Sequence, residues 1–166
     1  MFESRAHAPA LTHVGVVHAV RTSIAAAIAL GLASLLGMPE AYWAPISTII
    51  VMQSTLGASW TVSRNRLIGT LLGAFCGGLL GGRFHSNLAV FAAGILALGL
   101  VCMLLRLDQS AYRFAGVTFG IVLLVAPGES AWLVGFQRFV EVSLGIAVGL
   151  GVAAAWPHEI PGRRNG

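Results

Sequence analysis

The spacing of its charges constrains this chain more than any other feature. Ten arginines, no lysine and six acids are scattered singly or in pairs through 166 residues, and long continuous apolar stretches run between them. Taken as boundaries, these charges enclose six segments, at 22–39, 41–63, 67–82, 84–105, 114–128 and 130–158. About 20 apolar residues cross a hydrocarbon core of about 30 Å as a helix, so four segments suffice or nearly so. The third and fifth are short and must borrow flanking residues. The runs are continuous rather than alternating, which argues against a membrane barrel. Only 10% of the chain is charged and 57% is hydrophobic, with a mean hydropathy of +0.84. A soluble domain spends about 25% on charge. Sixteen charged side chains cannot clothe a soluble globule of this length. The expected class is an all-α integral membrane protein with six transmembrane helices.

Arginine placement sets the expected topology. With six crossings, Arg5, Arg21, Arg64, Arg66, Arg106, Arg113, Arg163 and Arg164 collect on one side, against Arg83 alone on the other, which also receives Glu40 and Glu129. The positive-inside rule then puts both termini in the cytoplasm of an inner-membrane protein. The expected organisation is an N-terminal tail at 1–18, a six-helix domain at 19–157 and a C-terminal tail at 158–166. The first apolar run is retained rather than cleaved, because no convincing cleavage site follows it. The tails and loops leave no room for a soluble domain. Arginines that flank apolar runs do not make a nucleic-acid footprint, so no nucleic-acid partner is expected. Cys76 and Cys102 read as small buried hydrophobes, and the five histidines carry no metal or proton-relay pattern. No nucleophile, phosphate loop or metal cluster appears, so neither an enzyme nor a cofactor is expected.

A weak internal repeat links the third and sixth segments. Arg66-Leu67-Ile68-Gly69-Thr70-Leu71-Leu72-Gly73 and Arg138-Phe139-Val140-Glu141-Val142-Ser143-Leu144-Gly145 align at an offset of 72, which also pairs Gly77 with Gly149 and Tyr42 with Phe114. Three crossings per repeat would make two inverted halves, a plan that places a transporter's site at the repeat interface. Gly69, Gly73 and Gly77, and then Gly145 and Gly149, recur every four residues and suit close helix packing. Arg138 and Glu141 are three apart, so they share a helix face, and an ionisable pair inside an apolar run is a candidate functional site. Tyr42-Trp43-Ala44-Pro45 opens the second segment, where Trp43 suits the bilayer interface. Thr48 and Gln53 give that segment a polar content that fits a wet path or a polar helix contact.

The Tyr42-Trp43-Ala44-Pro45-Ile46-Ser47 start, the Arg66–Gly69–Thr70–Gly73 helix, and the last segment with Arg138, Glu141 and Gly145 ahead of Trp156-Pro157 together resemble the fusaric acid resistance (FUSC) and aromatic acid exporter superfamily. The resemblance covers roughly residues 15–157. It implies a six-helix module of the kind found in exporters of aromatic and related carboxylates and in similar plant malate channels. By position it makes Arg66 and Arg138 the anion-attracting residues. This chain lacks the long cytoplasmic region and second membrane half of larger members, which favours self-association as a homodimer or larger oligomer. The expected function is a transporter or anion-conducting protein exporting small organic carboxylates, with Arg66, Arg138, Glu141, Trp43, Thr48 and Gln53 along the path. The alternative is a non-transporting membrane partner that packs against a larger protein.

Overall fold

A computed structural model describes residues 13–53, 55–84, 87–125 and 130–156. Six helices account for nearly all of them, and no strand occurs among the described residues. They are α1 His13–Leu35, α2 Trp43–Val51, α3 Leu56–Gly81, α4 Leu88–Leu104, α5 Gln109–Leu124 and α6 Ala131–Ala155. Arg5, Ser54, His7, His85, Glu129, His158, Arg163 and Arg164 lie outside the described residues.

The helix count matches the expectation, but one boundary does not. The stretch 41–63 is not a single helix. It divides into the nine-residue α2 and the start of α3, and the expected boundary at Arg64–Arg66 is helical. A nine-residue helix rises only about 13 Å, less than half the hydrocarbon thickness. The break has local causes. Thr55 caps α3, its side chain accepting from the Ala58 amide at 3.2 Å, and Ser59 Oγ accepts from the Gln53 amide at 3.0 Å. Nothing breaks the helix after that, and Arg64 and Arg66 lie within it. Pro45 sits in the first turn of α2, where its missing N–H removes no helical bond. Helix α1 also starts at His13, inside the segment expected as a tail.

α1 and α4 end alike. Beyond α1, Met38 N bonds to Ala33 O at 3.1 Å and Gly37 N to Ser34 O at 3.0 Å, with Gly37 at φ +65°. Beyond α4, Leu107 N bonds to Cys102 O at 2.9 Å and Arg106 N to Met103 O at 3.1 Å, with Arg106 at φ +54°. Both are Schellman turns, which satisfy the last helical carbonyls through a left-handed residue.

α3 and α6 form the centre. They run antiparallel, since Gly81 faces Ala131, Gly78 faces Trp132 and Ala74 faces Gly135. α5 packs on α3, α2 packs on α6, and α1 and α4 flank the assembly. On α1 and α3, apart from the buried arginines, small residues point inward and large apolar ones outward. α1 buries Arg21, Ala25, Ala29 and Ala33 while Ile24, Ile28 and Leu32 are exposed. α3 buries Gly69, Gly73, Gly77 and Gly81 while Leu67, Leu71, Phe75 and Leu79 are exposed. In water this would waste the transfer free energy of each large side chain, about 1.5–3 kcal/mol. In lipid the exposure costs nothing and the small inner faces let backbones approach. Two helical stretches, Gly15–Leu35 and Ala131–Ala155, are each long and apolar enough to cross a bilayer on their own.

Candidate functional site

The centre of the bundle holds two buried guanidinium groups. Arg66 on α3 and Arg138 on α6 are 5% and 3% exposed, and both line a cavity of about 20 Å³ together with Trp43, Thr70, Phe114 and Thr118. Each stacks on an aromatic ring from a neighbouring helix. Arg66 lies 4.8 Å from the Phe114 ring centroid on α5, and Arg138 lies 4.6 Å from that of Trp43 on α2. A desolvated guanidinium gains about 2 kcal/mol from such a face.

The two stacks match residue for residue. The arginines are 72 apart and the aromatics 71 apart, so Trp43, rather than the neighbouring Tyr42, is the counterpart of Phe114. The glycine contacts repeat with the same offsets. A Cβ on Gly73 would run into the Ala115 carbonyl and meet Thr118 Cβ at 2.9 Å; one on Gly145 would run into the Ala44 carbonyl and meet Ser47 Cβ at 2.7 Å. Gly69 lies against Ala111 and Phe114, Gly77 against Val122, and Gly149 against Val51 and Thr48. These close approaches set α5 on α3 and α2 on α6, and so aim each ring at its arginine.

The polar partners of the two arginines differ. Arg66 donates from Nε and Nη2 to the Ser47 hydroxyl, at 3.2 and 3.1 Å, and no carboxylate among the described residues lies within 4.0 Å of it. Arg138 pairs with two. Its Nη1 is 3.1 Å from Glu141 Oε2, and its Nη2 meets Glu40 Oε2. Glu141 is 1% exposed and also accepts from the Glu40 amide at 3.1 Å. The positions corresponding to Glu141 and Glu40 in the other half are Gly69 and Ala111, which touch each other without charge.

Trp43, Arg66 and Arg138 line one cavity, and Glu141 joins it through Arg138. Thr48 and Gln53 lie elsewhere. Thr48 Oγ1 donates to Gly145 O at 2.8 Å or Ala44 O at 3.1 Å, a polar contact between α2 and α6. Gln53 stands at the α2–α3 break, its side chain donating to Ile50 O at 2.9 Å. Sequence reasoning missed four residues. In the sequence Glu40 stands as a flanking acid, Ser47 only as part of the Tyr42–Ser47 start, Phe114 only as the repeat match of Tyr42, and Arg21 as a topology flank. Arg21 is 3% exposed and donates to Gln53 O at 2.7 Å and Trp156 O at 3.0 Å, fastening the carbonyl ends of α2 and α6. Among the described residues no cluster of His, Cys, Asp or Glu is placed to hold a metal.

Several known proteins are similar to this chain. The family described as fusaric acid resistance protein-like matches residues 13–152. The uncharacterized transporter YdhK of Escherichia coli (strain K12) is 30% identical over 141 residues, covering 80% of this chain and 21% of its own. The uncharacterized protein slr1298 of Synechocystis sp. is 26% identical over 146 residues, covering 86% of this chain and 19% of its own. This chain therefore spans about a fifth of the length of these relatives. No solved structure matches it. The family match takes in all six helices and both arginine stacks, and the chain belongs to the fusaric acid resistance protein-like family.

Proposed function

We propose that this chain is a membrane transport module that conducts or exports small organic carboxylates. One observation carries the reading: a buried guanidinium, Arg66, held by a serine hydroxyl and an aromatic face with no carboxylate in reach among the described residues. Burying an arginine without an acid is expensive, and such a charge at mid-membrane marks an ion path. A carboxylate entering the bundle loses its hydration, and a guanidinium replaces it with paired hydrogen bonds and charge. Phe114 and Trp43 offer apolar faces beside the charges, which suits an aromatic or short apolar body.

The cavity of about 20 Å³ has room for about one water. Ligand sites run to about 300–1,000 Å³. This conformation is therefore closed, and passage requires α3 and α6 to part. The matching stacks and glycine contacts support two inverted halves that rock against each other about that cavity. We place six crossings in the inner membrane with both termini cytoplasmic, the second made by α2 together with the non-helical residues that flank it, and a homodimer or larger assembly. The arginine asymmetry supports that orientation less strongly than the sequence alone implied, because Arg21 and Arg66 are buried in the bundle rather than free at its end. Arg64, Arg106 and Arg113 still oppose Arg83.

The test is efflux of benzoate from liposomes holding the purified chain. Efflux above that of empty liposomes, lost in Arg66→Gln, supports the reading. No efflux from inserted, folded protein overturns it in favour of a packing partner for a larger membrane protein.

A further inference from the structure

Glu40 reaches Arg138 from the connection between α1 and α2, just beyond the Gly37 turn. One oxygen, Oε2, takes three donors: the Arg138 guanidinium, the Tyr42 hydroxyl, and the Trp43 indole N–H at 3.0 Å. Three convergent donors, one of them charged, replace the hydration of any carboxylate, whether or not it belongs to the protein. The two partners differ in freedom. The Glu40 side chain is 37% exposed and can leave toward solvent, whereas that of Arg138 is 4% exposed and held on its far nitrogen by Glu141.

Arg138 also has a donor to spare. Its Nε is buried and has no acceptor among the described residues. Nε and Nη2 form the edge of a guanidinium that receives a carboxylate side-on through two parallel bonds. Glu40 occupies Nη2 alone, so the edge is half used. A buried donor without a partner calls for an explanation, and a ligand that completes the fork supplies one.

We infer that the Nε–Nη2 edge of Arg138, together with Tyr42 and Trp43, is a seat for the carboxylate of the transported anion, and that Glu40 is an internal plug in it. The inference rests on the carboxylate reading above. An incoming carboxylate takes Nε and Nη2 together and inherits the phenol and indole donors, while Glu141 stays on Nη1 and holds the guanidinium in place. The displaced segment has space beside it, an apolar cavity of about 100 Å³ lined by Met38, Pro39, Phe136, Val140 and Glu141. The matching half has no such plug, since Ala111 stands where Glu40 would be.

The experiment is a calorimetric titration of sodium benzoate into the purified full chain, unaltered and as Glu40→Gln, Glu40→Ala and Glu40→Gln/Tyr42→Phe, with folding checked by helicity and thermal melting. Removing the plug's charge lowers the benzoate dissociation constant at least tenfold in Glu40→Gln or Glu40→Ala. Removing the phenol donor in addition reverses part of that gain, about threefold or more. Binding that is unchanged or weaker without Glu40, or a gain untouched by Tyr42→Phe, overturns the seat. Benzoate efflux from liposomes, run in parallel on the unaltered chain, separates the failures. Efflux with no gain in the Glu40 variants overturns the seat alone, while neither efflux nor binding overturns the transport reading with it.

Discussion

Arg66 and Arg138 sit in matching places on α3 and α6, each against one aromatic ring, yet among the described residues one has a serine as its polar partner and the other two carboxylates. Packing explains the likeness. Each glycine-faced helix draws a partner helix close, and the partner's first turns deliver the ring. Charge explains the difference. Around Arg138 the chain supplies its own carboxylates, buried Glu141 and part-exposed Glu40; around Arg66 it supplies none among the described residues, and on the proposed reading that charge stands open to a ligand. The contrast separates an arginine whose acids come from its own chain from one that has none among the described residues, which identical residue types in similar sequence contexts do not reveal.

The contrast should break most visibly under neutralisation. Arg138→Met strands Glu40 and Glu141, and removing one partner of a buried pair costs about 3–5 kcal/mol. Thermal melting in detergent should drop sharply, with Glu40→Gln/Arg138→Met/Glu141→Gln recovering most of the loss. Arg66→Met leaves the Ser47 hydroxyl donating to the Trp43 carbonyl, and the Phe114 stack it gives up, about 1–2 kcal/mol, is offset because an arginine without an acid is no longer buried. Melting of that variant should barely move while benzoate flux falls. An equal drop in melting for both single variants would erase the distinction between the stations.

Smaller changes sharpen it. Phe114→Leu removes the ring from Arg66 and should cost about 1–2 kcal/mol of melting stability through the lost cation–π contact. Trp43→Phe keeps a ring on Arg138 but deletes the indole donor to Glu40, worth about 1.5–3 kcal/mol as a hydrogen bond to a charged group. The smallest effect belongs to the matched helix ends. Gly37 holds its left-handed turn freely, whereas Arg106 does so against its Cβ. Arg106→Gly should therefore raise stability by up to about 1 kcal/mol, read as an upward shift in melting.

Much of this was legible in the sequence. The number of helices follows from the apolar runs, and the Arg138–Glu141 pair follows from helical spacing. The boundary between the second and third helices did not follow. Treating each charge as a loop marker put Arg64 and Arg66 between helices, whereas both lie in α3. Arg66 is tolerated there because Ser47 and Phe114, brought in by other helices, solvate it, and no local pattern encodes that meeting. Glu40 escaped for the same reason, standing 98 positions from its arginine. The internal repeat held the missing clue. An offset of 71 rather than 72 before the third helix of each half would have set Trp43 against Phe114 and exposed the two stacks as a pair.

On the proposed reading Arg66 is a cation kept for an incoming carboxylate rather than for the fold. Its most direct test is benzoate efflux from liposomes holding Arg66→Gln, measured beside the unaltered chain at equal inserted protein and with both melting curves recorded. At least a tenfold loss of efflux with an unshifted melt is the predicted result. Undiminished efflux from the folded variant would contradict it.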